Sequence, residues 1–146
     1  MAGITVGFDG SPGAERALRW AMTEAAARRA LLTVLTVHPA PASAWTGQPI
    51  TVPADEAAVQ RARQVAEEAV AKAAAELGDS VAALVTVRSV SGFPAEALIQ
   101  ASADADLVVV GSRGTNPVRR LLVGSVSNEV LHHAHGPVVV VPGDRP

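Results

Sequence analysis

The side chains best able to do chemistry lie close together, in Val110-Gly111-Ser112-Arg113-Gly114 and in Gly124-Ser125-Val126-Ser127. Glycines let a backbone turn tightly and bare its amides. Where such a stretch feeds a helix, the first amides lack intrahelical acceptors and the helix dipole favours an anion, which is the chemistry of phosphate binding. Ser125 and Ser127 add hydroxyl donors, and Arg113 a guanidinium able to stack or to pair with phosphate. A plainer reading stands beside this one: the glycines only turn the chain after a strand, and Ser125 only caps its helix. Asp9, in Gly7-Phe8-Asp9-Gly10-Ser11-Pro12, is placed to close an Asx turn. Arg119 and Arg120 read as solvated surface charge. His132, His133 and His135 gather near a helix end, where the dipole welcomes positive charge, and so complement that dipole rather than ligate a metal.

Other chemistries lack their parts. There is no cysteine, hence no disulfide framework, thiolate metal site or cysteine nucleophile. No lysine follows the glycines as in a P-loop, and GxGxxG, HExxH and GxSxG are all missing. Without a fixed lysine or a paired acid and base, at most slow phosphoryl transfer is expected. A formal net charge of -2 removes the positive field that general nucleic-acid binding needs. Trp20 and Trp45 are too few and too separate for a base-stacking surface. No apolar run reaches the length of a membrane span and the first residues carry no basic segment, so a cytoplasmic protein is expected.

The elements that must position these residues follow from periodicity. Short runs rich in Val, Ile and Leu alternate with Ala-rich stretches of helical period, the pattern of a parallel sheet covered by helices. Strands are expected at Ile4 to Phe8, Leu31 to Val37, Ala82 to Val87, Leu107 to Val110 and Val138 to Val141. A first helix runs to about Arg29, with Ser11 as N-cap and Pro12 as its first residue, and Ala14, Ala17, Leu18, Ala21 and Ala25 facing inward. A second runs from Ala54 to Leu77, where Gly78 ends it, with Val59, Ala62, Ala66, Ala69, Ala73 and Leu77 buried and Glu68, Lys72 and Glu76 paired at four-residue spacing. A third follows Gly92-Phe93-Pro94. The fourth starts at Gly124-Ser125 and ends near His135, with Val126, Val130, Leu131 and Ala134 on its inner face. His38 to Pro53, with four prolines, reads as a long loop. At 146 residues, one domain is expected.

Spacing decides between the readings of the glycines. Gly111, two residues, Gly114, nine residues, then Gly124-Ser125 resembles the G-2X-G-9X-G-(S/T) signature of ATP-binding universal stress proteins. Gly7, Asp9, Gly10 and Ser11 look like the opening of that family, and GSVSNEVLHHAHGPVVVVP like its close. The resemblance implies an open five-stranded parallel sheet in the order 3-2-1-4-5 with helices on both faces, and ATP across the carboxyl ends of strands one and four. It implies that Asp9 contacts adenine, that Gly7 leaves room for the base and that Val37 pads it, while the plainer readings are close strand-helix packing at Gly7 and, favoured here, an ordinary core valine at Val37. Gly111, Ser112, Arg113 and Gly114 match the ribose and phosphate segment, with Gly124, Ser125, Val126 and Ser127 closing over the phosphates. Mg or Mn would enter with those phosphates. A nucleotide-dependent stress regulator is the function implied; a slow ATPase or transferase, and a nucleotide-free interaction module, are the alternatives. In that strand order Val138 to Val141 forms an uncharged sheet edge, which predicts a homodimer through this strand.

Overall fold

The computed structural model describes residues 3–39, 55–78, 81, 84–112 and 125–143. Among the described residues the main elements are five strands and four helices: β1 (Ile4–Gly7), α1 (Pro12–Arg28), β2 (Leu32–Pro39), α2 (Glu56–Leu77), β3 (Val85–Gly92), α3 (Pro94–Ser102), β4 (Leu107–Gly111), α4 (Ser125–His133) and β5 (Val138–Val141). All four strand pairings are parallel, and the order is β3-β2-β1-β4-β5. The fold expected from the sequence is the fold found.

Two apolar cores explain why both faces are covered. Ile4, Val6, Leu32, Val34, Leu107 and Val109 meet α1 and α2 on one face. Leu35, Val108 and Val110 meet α3 and α4 on the other through Leu98 and Val130. Strand alternation sorts them, because successive side chains point to opposite faces. Fully burying Ile4, Leu18 or Leu32 contributes about 1.5–3 kcal/mol each. The five inward positions expected on α1 are all buried, with Met22 beside them.

Several boundaries and faces differ from expectation. β3 starts and ends later than Ala82 to Val87, because Arg88 to Gly92 continue the ladder against Leu35 to Pro39. Exposure alternates only as far as Ser89, but polar Ser89 and Ser91, which sequence periodicity reads as loop, both lie within the strand. β2 likewise includes His38 and Pro39. On α2 the buried residues are Ala58, Ala66, Ala73 and Ala74, while Leu77 is 39% exposed. The last turn is anchored by Ala73 and Ala74, and Leu77 lies off that buried stripe. On α4, Leu131 faces solvent and Ser127 takes the inward place beside Val130. Glu76 pairs across the helices with Arg19 of α1, Lys72 adding attraction.

The two edges of the sheet are unlike. In β3 the Leu84 carbonyl accepts from Leu32 of β2 at 2.9 Å, so the alternate Val87 carbonyl points to the outer edge, where Arg63 of α2 donates to it at 3.0 Å. Ser89 ties the same helix down by donating to the Val59 carbonyl at 2.7 Å. In β5 the Pro137 and Val141 carbonyls accept from Val108 and Ser112 of β4. Alternation then turns the peptide groups of Val138 and Val140 outward.

Candidate nucleotide site

The strand order reverses between β1 and β4, which run side by side with Ile4, Thr5 and Val6 opposite Leu107, Val108 and Val109. Connections from these two strands leave toward opposite faces: α1 follows β1 and α4 follows β4. Open α/β sheets bind ligands at such a point, outside the carboxyl ends of the strands.

On the β1 side, the Asp9 carboxylate accepts from the Ser11 amide at 2.9 Å, closing an Asx turn. Gly10 takes φ +83°, the left-handed region that favours glycine. Ser11 then caps α1, its hydroxyl oxygen accepting from the Ala14 amide at 3.1 Å. Asp9 is exposed, just past the end of β1. The Asx-turn reading of Asp9 is the one these contacts bear out.

Gly7 and Gly111 are both places of close approach. A Cβ on Gly7 would stand 3.0 Å and 3.2 Å from the two methyls of Leu98, so the space beside β1 is filled by α3. A Cβ on Gly111 would stand 2.9 Å from the Gly13 carbonyl oxygen, in the first turn of α1. Val37 is half-buried and packs into the core on the α3 face, as an ordinary core valine does.

The β4 side is tied as firmly. The Ser112 amide donates to the Val141 carbonyl at 2.9 Å and so belongs to the sheet ladder. Ser127 is 4% exposed and its hydroxyl donates to the Gly111 carbonyl at 2.6 Å. Ser125 is exposed and Val126 half-buried in the same first turn. Together these contacts bring Asp9, Gly111, Ser112, Ser125, Val126 and Ser127 to one end of the sheet. Arg113, Gly114 and Gly124 lie outside the described residues, as do Arg119, Arg120, Trp45 and residues 40–53 of the expected loop.

Sequence reasoning missed Leu98 and Gly13, since neither is polar and both act through space. It also missed two clefts of about 570 and 270 Å³ along the flank of α3, which share Leu35, Arg88, Ala101 and Asp104. The larger opens over β2 and β3, the smaller reaches Ile4 and Thr5 at the start of β1, and neither is lined by Asp9, Gly111 or Ser127. The exposed, polar face of β3 at Thr86 and Arg88 was their one sequence signal. Among the described residues no group of three His, Asp or Glu could hold a metal ion. None of the described helices is long and apolar enough to cross a membrane.

A parallel sheet with one reversal, covered on both faces, defines a doubly wound α/β protein, a class that binds ligands where the strand order reverses. The sequence profile of the universal stress protein family matches residues 2–142, and the chain belongs to that family. A universal stress protein of Mycolicibacterium smegmatis is 38% identical over 142 residues, which cover 97% of this chain and 48% of the relative. The chain thus spans about half the length of the first curated relatives it matches. A solved universal stress protein in complex with cAMP is 28% identical with a TM-score of 0.65, covering 96% of this chain and 95% of that one. The universal stress protein of Archaeoglobus fulgidus in complex with dAMP is 25% identical with a TM-score of 0.64, covering 97% and 98%.

Proposed function

We propose that this protein binds an adenine nucleotide, ATP with Mg or Mn, at the carboxyl ends of β1 and β4, and works as a nucleotide-dependent stress regulator in the cytoplasm. The observation that carries the reading is the gathering of Asp9, Gly111 and the first turn of α4 at the point where the strand order reverses. Two similar proteins of this fold hold cAMP and dAMP. Phosphates belong on the α4 side, where the first amides and the dipole favour negative charge, and away from the Asp9 carboxylate, which repels it. The base then falls on the β1 side. No set of described metal ligands competes for the cation, so it enters through the phosphates.

Mass spectrometry of the native protein should find a co-purified adenine nucleotide, and calorimetric titration with ATP and magnesium should give saturable binding. Gly114→Val, in the glycine signature, should weaken ATP by at least about a hundredfold, the equivalent of two lost charge-assisted hydrogen bonds. Its far-ultraviolet spectrum should match the parent's. ATP binding unchanged in that variant would reduce the glycines to turn residues.

A further inference from the structure

A serine hydroxyl carries one proton to donate. In Ser127 that proton is engaged by the Gly111 carbonyl at 2.6 Å, inside a side chain 4% exposed. What remains to meet a phosphate is lone pairs, which an anion does not seek. The backbone of the same turn is different, since the first four amides of a helix have no intrahelical acceptor and point outward along its axis. Where those amides stand relative to the end of β4 is set by whatever pins the turn. Among the described residues Val126 packs this turn against the core, and the side-chain hydrogen bond that ties it to the end of β4 is the one from Ser127.

We propose that Ser127 is a positioning residue of the nucleotide site, holding the first amides of α4 at the end of β4, and does not itself ligate the phosphates. This rests on the nucleotide reading above. Gly111 makes the pin stiff. Its carbonyl receives Ser127 from the α4 face, while its α-carbon lies against the Gly13 carbonyl of α1 on the other face. The starts of two helices are thereby keyed to one residue of β4. Small displacements of a ligand-binding group are costly because hydrogen bonds weaken steeply with misalignment.

The test compares the parent with Ser127→Ala in titrations against magnesium ATP and against adenosine, beside amide hydrogen exchange without nucleotide. Ser127→Ala should weaken ATP by about tenfold, the equivalent of one lost hydrogen bond, and leave adenosine within about twofold. Amides at the start of α4 should exchange faster in the nucleotide-free variant. A purely structural serine would lower the melting temperature without changing the ratio of ATP to adenosine affinity, and a direct phosphate ligand would change that ratio without changing exchange in the free protein. Either result overturns the proposal. In the unsubstituted protein the Ser127 hydroxyl proton should exchange slowly enough for nuclear magnetic resonance, and should stay bonded to Gly111 when ATP is added; its transfer to phosphate would be equally fatal, whatever the variant does. Should the parent bind neither ATP nor adenosine, the nucleotide reading fails and this inference with it. If the parent binds and Ser127→Ala keeps its ratio, only this inference fails.

Discussion

Gly7 and Gly111 occupy matching places at the ends of adjacent strands, yet their neighbours differ in how far they can yield. A Cβ at Gly111 meets backbone, the Gly13 carbonyl, and a helix start cannot retreat without losing its cap. A Cβ at Gly7 meets the flexible end of Leu98. Gly111→Ala should therefore cost about 1–3 kcal/mol of stability by overpacking, and Gly7→Ala distinctly less. Urea unfolding of both variants checks this, and Leu98→Val should relieve Gly7→Ala but not Gly111→Ala. Equal costs would mean that α1 moves as readily as a leucine rotamer. At this scale the sequence showed which residues to watch but not what each one does. Glycine spacing marks Gly7 and Gly111; their reasons, Leu98 and Gly13, sit on other elements. The Asx turn of Asp9 was legible because it is local, whereas the Ser127 contact spans sixteen positions and has no local signature.

Among the elements, those governed by a clean period were legible and those governed by their surroundings were not. The central strand β4, buried on both faces, and the four valines of β5 fell where the apolar runs put them. At β3 the edge position lets polar residues stay in the ladder, so composition gave the wrong limits. The charges of α2 show the same difference. Four-residue spacing points to pairs within the helix, but Glu76 instead reaches Arg19 of α1, and that guanidinium, chiefly through its hydrogen bond, holds the Glu76 carboxyl below its ordinary range. Both side chains are solvated, so the contribution is small. Its sign is fixed: a carboxyl with a lowered folded pKa stabilises the native state above the ordinary carboxylate pKa, and that contribution fades as pH falls through the lowered value. Glu76→Gln should accordingly melt slightly below the parent at neutral pH. Thermal melts of the two should converge in acid and in high salt. A difference that persists in acid would assign the effect to packing.

For the whole molecule the decisive contrast is between the two sheet edges. We propose that two copies pair antiparallel through β5 about a two-fold axis, since the peptide groups of Val138 and Val140 face outward from a strand without a charged residue. Val140→Pro is the informative substitution, because proline is tolerated on an edge strand yet removes an outward amide. Light scattering should show a dimer for the parent and a monomer for Val140→Pro, with similar helical content; a parent that stays monomeric at micromolar concentration would end the proposal. The opposite edge behaves otherwise, for Arg63 already occupies the outward carbonyl of Val87. In the language of polymerisation, the sheet is a monomer with one live end and one capped end. Association through a single live end terminates at the first step, whereas two live ends would propagate strand upon strand into a fibre. Arg63 of α2 stands on one outward carbonyl of that second end, the kind of obstruction that stops a chain from growing there.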